Sequence, residues 1–345
     1  MITKKKIAKK DRQTCLISGL ISSGILIASN ISFSPSIDIV VICINLLSGF
    51  LIGSIVPAAY IYSTQFLFRY INIKMLPYYI YIFVHIVTLI IVTFFIYILV
   101  GMIFFLEHVW EPLNMQIAVV LSFVFAIIFT LDSMLKQFLG KKFLKDIVSG
   151  KYYKPKEEKR IFAFIDLCDS TKWAEKLNHD SFFRLINDFL WILDRCAYYY
   201  DGEIYKYLGD GVIIVWKCDA QNYQNVHGFL VELHREIDRK NVDFEKNYGK
   251  RIQFTMGMHE GNVLIGELGD TKKEIGYWGD TVNTVQRIQN ACKNYCTSVL
   301  LSEPLFQHLL DNIKDMRSIT YKRVEQVNFK GKQQTMNVIK LELNQ

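Results

Sequence analysis

The sequence predicts two unlike halves: an α-helical membrane domain of four spans over 1–132 and an α+β domain over 160–345, joined by a helical linker over 133–159. Three observations carry that division. Up to about Thr130 the chain is dominated by Ile, Leu, Val and Phe, in stretches of bilayer length. From Lys136 onward the apolar residues fall into short runs that switch between strand and helix periods. Basic residues cluster beside alternate ends of the apolar stretches rather than evenly along the chain.

The four apolar stretches are 15–33, 37–63, 79–106 and 116–131. A spanning helix takes about 20 apolar residues, so the middle two are long enough to tilt. The first is no cleaved leader, because no small-x-small site precedes Ser34-Pro35-Ser36 and further apolar segments follow. Lys4, Lys5, Lys6, Lys9, Lys10 and Arg12 precede the first stretch, Arg69 and Lys74 follow the second, and Lys136, Lys141, Lys142 and Lys145 follow the fourth. The other two connections carry no Lys or Arg. The positive-inside rule then implies a multi-pass protein of the cell membrane, with the N-terminus and the α+β domain in the cytoplasm. The same placement of bases accounts for the net charge of +7 without a nucleic-acid partner, and makes membrane lipid the expected surface. His85 inside a stretch reads as a helix–helix hydrogen-bond partner.

In the linker, Leu135, Phe138, Leu139, Phe143, Leu144 and Ile147 recur at helical spacing with lysines between them, up to Gly150. That amphipathic helix either pairs with its twin in a dimer or lies on the inner leaflet. Beyond it the periodicity gives a strand at 160–167, helices over 171–200 and a hairpin of 203–208 with 212–216. A helix through the 220s and 230s follows, then strands near 251–259 and 262–267, a helix from Thr281, and strands towards the end. The elements alternate in the order β-α-β-β-α-β. The seven cysteines form no metal-ligand pattern and read as reduced thiols.

Three polar segments stand out against this framework. Asp166 ends the apolar run Phe-Ala-Phe-Ile, and Asp210 sits in Gly-Asp-Gly at the hairpin tip. Each has a purely structural reading, Asp-Gly being a strong turn signal by itself. Two carboxylates meeting at one point also suit Mg²⁺ or Mn²⁺. Lys206 shares its strand face with Ile204 and Leu208, an odd place for an ammonium without a partner. Asn283 and Arg287 lie four apart on one helix, on one face, with Asp280 placed to cap it.

The segments FIDLCDST (164–171), KYLGDG (206–211) and GDTVNTVQRI (279–288) together, in this order, resemble the class III nucleotidyl cyclases, the adenylate and guanylate cyclases. The resemblance covers about half the chain and implies a ferredoxin-like catalytic fold. It implies that Asp166 and Asp210 bind two Mg²⁺ or Mn²⁺ ions with help from the carbonyl of Leu167, and that the turn through Cys168, Asp169, Ser170 and Thr171 offers backbone N–H groups to phosphate. Asp169 reads as the cap of the helix that starts there. Asn283 would orient the ribose, Arg287 would meet charge on the α-phosphate, and Lys330 in Phe-Lys-Gly-Lys, with Lys332 close by, would grip the terminal phosphates. The expected reaction is attack of the ribose 3′-hydroxyl on the α-phosphorus of ATP, giving 3′,5′-cyclic AMP and pyrophosphate.

Base choice rests on two positions. Lysine only donates hydrogen bonds, so Lys206 matches the N1 acceptor of adenine and not the N1–H of guanine. The family's guanylate cyclases place glutamate there, so this chain resembles an adenylate cyclase. The second base-reading position, where adenylate cyclases carry Asp or Thr and guanylate cyclases Cys, is Gly276 here. Guanylate or dual specificity is the alternative, and a non-catalytic regulatory module is a lower one. One chain carries both the metal aspartates and the Lys–Asn–Arg set, so the resemblance implies a homodimer whose sites each draw on two chains.

Overall fold

The computed structural model describes residues 140–271, 273–295, 297–313, 319–327 and 335–343, with scattered positions before 140. The chain divides into two compact units, Met1–Phe138 and Leu139–Gln345.

The first unit requires a correction. Among the described residues no helix is long and apolar enough to cross a membrane. The multi-pass location and the lipid partner expected from the sequence are therefore withdrawn. A span needs one continuous apolar helix of about 20 residues, and none occurs among the described residues. Apart from scattered positions, the stretches 15–33, 37–63, 79–106 and 116–131 lie outside the described residues, as does His85.

The second unit opens with α1 (Lys141–Val148), which is followed by Gly150 at φ 61, as the helical spacing anticipates. Next come β1 (Lys156–Leu167), α2 (Ser170–Lys176), α3 (His179–Tyr199), β2 (Glu203–Leu208) and β3 (Gly211–Lys217). The chain continues through α4 (Ala220–Tyr248), β4 (Phe254–Leu268), β5 (Glu274–Trp278), α5 (Asp280–Ala291), β6 (Val299–Ser302), α6 (Glu303–Asn312), β7 (Ile319–Val327) and β8 (Met336–Leu343). Local chemistry sets several boundaries. Asn178 and Asp219 cap α3 and α4, each side chain accepting a backbone N–H at 2.8 Å, and Gly249 at φ 81 ends α4.

The strands form one mixed sheet in the order β2-β3-β1-β4-β6-β8-β7, with β5 paired to β4. β1 runs antiparallel to both β3 and β4, so the central four strands follow the expected ferredoxin-like order. Alternation along β1 sends Ile161, Ala163, Ile165 and Leu167 to one core and Phe162 and Phe164 to another. The first core packs under α3, α4 and α6, through residues such as Leu185, Phe229 and Phe306. The second is covered by Val285 of α5 and Ile275 of β5.

Two expectations change. β1 begins at Lys156, ahead of Arg160. The two strands expected near 251–259 and 262–267 are a single β4, unbroken at Gly261. That glycine makes no turn; it permits a close approach, since a Cβ there would lie 2.5 Å from Thr281 Oγ1.

Candidate active site

The pleat of β1 puts Asp166 on the second face, in register with Gly211 of β3 and Thr255 of β4. The β2–β3 hairpin turns through Gly209, at φ 67, and Asp210. This brings the Asp210 carboxyl within hydrogen-bonding reach of Asp166. Gly211 makes room for the meeting, because a Cβ there would lie 2.9 Å from Asp166 Oδ1 and 3.0 Å from the Ile165 carbonyl.

The meeting of two carboxylates is electrostatically unfavourable. Burial, and then the charge of Asp210, push the Asp166 carboxyl up to about 6, opposed by Lys293 and by a hydrogen bond from Gln289. Two oxygen ligands forced together suit a divalent cation that would neutralise them. No group of three or more His, Cys, Asp or Glu side chains able to hold a metal occurs among the described residues. The paired carboxylates are an all-oxygen donor set, the kind that fits a hard divalent cation. Leu167, whose carbonyl is the expected third donor, is buried in the first core at the end of β1.

Cys168, Asp169, Ser170 and Thr171 form the turn into α2. The Cys168 N–H is already committed to the Gln253 carbonyl at 2.9 Å. The first turn of α2 leaves its own N–H groups without intrahelical acceptors. Asp169 does not cap in the expected way. It sits in left-handed backbone at φ 58 with no capping bond from its side chain, and its carboxylate pairs with Lys172 at 2.9 Å and Lys250 at 3.7 Å.

Lys206 reaches its position by a route the strand period conceals. A bulge between Ile204 and Lys206 breaks the β2 register, pairing Ile204 with Ile214 but Lys206 with Ile213. Ile214 belongs to the first core and Ile213 to the second, so Lys206 leaves the face of Ile204 and joins that of Asp166. Tyr205, at the bulge, packs edge-on against Tyr277 of β5 at 4.7 Å between ring centres, and Tyr277 meets Phe162 at 5.5 Å. This aromatic stack anchors the bulge. Lys206 itself is exposed.

Asn283 and Arg287 project from α5 on one face, Asn283 exposed and the Arg287 side chain 29% exposed. Gly279 is the helix N-cap, which leaves Asp280 as the first helical residue rather than the cap. Asp280 accepts from Thr284 Oγ1 at 3.2 Å and pairs loosely with Arg287 at 3.8 Å. Gly276 lies opposite Gly266 on the β4–β5 ribbon, and a Cβ added to it would come within 2.6 Å of the Trp278 indole and 2.9 Å of Leu268. Lys330 and Lys332 lie outside the described residues.

Three residues the motifs did not flag belong to this site. Gln289 ties α5 to Asp166 of β1 and Thr255 of β4, and Gly257 of β4 lets the helix lie close. The signal for Gln289 was present: it is a polar residue inside the apolar stripe Val285, Ile288, Cys292 of an otherwise amphipathic helix.

Residues 152–341 match the family model described as the adenylate and guanylate cyclase catalytic domain. The chain is 30% identical over 179 residues to adenylate cyclase 2 of Rhizobium meliloti (strain 1021), covering 50% of this chain and 48% of that protein. It is 25% identical over 181 residues to an adenylate cyclase of Anabaena cylindrica, covering 51% and 35%. It thus spans less than half the length of either relative. Among solved structures, a bacterial light-regulated adenylyl cyclase superposes with a TM-score of 0.53 at 16% identity, covering 67% of this chain and 65% of that one, a likeness of fold.

Proposed function

This chain belongs to the adenylate and guanylate cyclase catalytic-domain family, and we propose that it converts ATP to 3′,5′-cyclic AMP and pyrophosphate as a homodimer. The observation that carries this reading is the meeting of the Asp166 and Asp210 carboxyls on the sheet face that α5 covers, the face onto which the bulge after Ile204 also turns Lys206. The matched relatives from Rhizobium meliloti and Anabaena cylindrica are named as adenylate cyclases, which supports ATP over GTP.

Each residue then has a defined task. Lys206 donates to adenine N1, which accepts, and would confront the N1–H of guanine with a second donor. Asn283 holds the ribose so that its 3′-hydroxyl stands in line with the α-phosphorus. The planar guanidinium of Arg287 meets the charge that builds on the α-phosphate oxygens as the O3′–P bond forms and the bond to the β-phosphate oxygen breaks. The N–H groups at the start of α2 and Lys330, as the family resemblance implies, are assigned to the departing pyrophosphate. Asp166 and Asp210, with the Leu167 carbonyl, would hold two Mg²⁺ or Mn²⁺ ions, which supply Lewis acidity at the attacking hydroxyl and the triphosphate.

Assembly from two chains is the economical way to bring these parts around one nucleotide, with the aspartates of one chain opposite Lys206, Asn283 and Arg287 of the other. The outer face of the β4–β5 ribbon supports it: Leu264, Leu268 and Trp278 are each more than a third exposed there, an apolar patch suited to a second copy.

A second reading, relaxed base choice, is favoured by Gly276. That residue offers no side chain to the adenine amino group, and its Cβ space is taken by the Trp278 ring. The test is kcat/KM for ATP and GTP in Mg²⁺ and in Mn²⁺. Wild type should prefer ATP, and Lys206→Glu should lower the ATP-to-GTP ratio by about tenfold or more, the value of one hydrogen bond to a base edge. A wild-type preference for GTP, or an unchanged ratio in Lys206→Glu, refutes the adenylate assignment.

A further inference from the structure

Gln289 is a buried polar residue, 1% exposed, on the sheet-facing side of α5. A single amide nitrogen, Nε2, donates to Thr255 Oγ1 at 2.7 Å and to Asp166 Oδ2 at 3.4 Å. Thr255 is itself buried and is the β4 residue directly opposite Asp166. The two hydrogens of one amino group are thus divided between a strand-fixed hydroxyl and the carboxylate beside it. The helix that carries the amide cannot drift, because it rests on Gly257 with almost no gap: a Cβ there would lie 2.3 Å from the Gln289 backbone nitrogen.

The Asp166 carboxylate is therefore gripped unequally. Oδ2 is held from the helix side, while Oδ1 lies on the Gly211 side, towards the hairpin that carries Asp210. We propose that Gln289 is a positioning residue for the divalent-metal site: its amide, braced by Thr255, fixes the rotation of the Asp166 carboxylate and aims Oδ1 at the shared cation position. The inference rests on the reading of Asp166 and Asp210 as metal ligands and adds a residue outside the three motifs. The amide suits the role better than an acid, because a carboxylate at 289 would have no hydrogen to give Asp166 and would add a third negative charge beside the pair. Outer partners of this kind characteristically set metal affinity through the orientation of the ligand they touch.

The experiment is a titration of the full-length chain with Mn²⁺ in the absence of nucleotide, following free Mn²⁺ by electron paramagnetic resonance. The proteins are wild type, Gln289→Met, Thr255→Val, the double variant and Asp166→Ala, each checked for folding by circular dichroism. Gln289→Met keeps the length and loses the donors, and should weaken Mn²⁺ binding by about tenfold. Thr255→Val, which removes only the brace, should weaken it by less. The double variant should be no weaker than Gln289→Met alone, because the two act through one contact. Mn²⁺ affinity in Gln289→Met within about twofold of wild type, or additive effects in the double variant, would show that Gln289 merely satisfies a buried hydroxyl. Should Gln289→Met not fold, Thr255→Val decides alone, unchanged affinity overturning the proposal. Undiminished binding in Asp166→Ala would remove the metal reading itself, and the role of Gln289 with it.

Discussion

Gly257→Ala is the substitution most revealing of how this domain aligns its chemistry. The added Cβ would lie 2.3 Å from the Gln289 nitrogen, 2.6 Å from the Val285 carbonyl and 2.7 Å from the Gln289 Cα, all backbone atoms of α5 that no rotamer change can move. Ordinary contact lies near 3.5 Å, so the helix must retreat from β4 by roughly 1 Å. Overpacking of this kind costs about 1–3 kcal/mol, which in a domain of this size lowers the melting temperature by several degrees. The larger effect falls on catalysis. Asn283 and Arg287 ride on the displaced helix, and a misplacement of about 1 Å typically costs on the order of a hundredfold in rate. We expect cyclic AMP formation to fall by about that factor in kcat at a temperature well below the melt, where circular dichroism still reports a folded protein. Kinetics within about twofold of wild type, with an unchanged melt, would mean that α5 is not held at this distance in solution and would refute the packing argument.

Two further outcomes follow from the site. Asp210→Ala and Arg287→Ala should each be nearly inactive, yet a mixture of the two chains should regain part of the activity, since one of the two sites in a heterodimer would receive only intact residues; a demonstrated heterodimer without recovery would exclude a site shared between chains. The pH dependence of stability has a definite sign: the Asp166 carboxyl is raised to about 6 from its ordinary 3.8, so the folded state without divalent ions keeps a proton that the unfolded chain releases, and the stability this gives is full below about pH 3.8 and lost as pH rises through about 6. Relative to Asp166→Asn, wild type in chelator should therefore gain in melting temperature between about pH 7.5 and pH 5, and a difference independent of pH would contradict the enforced carboxylate pair.

Much of the catalytic half was legible because its signals are local. The apolar run ending at Asp166, the Gly-Asp-Gly turn and the polar face of α5 each follow from neighbouring residues, and β1, the hairpin and α5 stand where those patterns put them. The errors arose where contacts distant in sequence overrule a local pattern. The strands read near 251–259 and 262–267 are one, because Gly261 between them serves a close approach to Thr281. Asp169 and Asp280 read as caps but form ion pairs instead. In the amino-terminal half, hydropathy counts apolar residues, whereas a span requires that they form one continuous helix, and among the described residues no helix meets that requirement.

By itself, then, the sequence determined the inventory: two carboxylates at strand ends, a lysine before the second, an Asn and an Arg one turn apart, and a glycine at 276. The tertiary structure decided how these residues face one another. A regular β2 would carry Lys206 on the face of Ile204, and only the bulge anchored by Tyr205 against Tyr277 turns it to the face of Asp166. Gln289 meets Asp166 across 123 positions of sequence, and only because Gly257 lets α5 lie against the sheet. Periodicity records which face a residue takes when its strand or helix is regular. Bulges, close approaches and buried polar bonds depend on partners far along the chain, so they exist only once the sheet has closed.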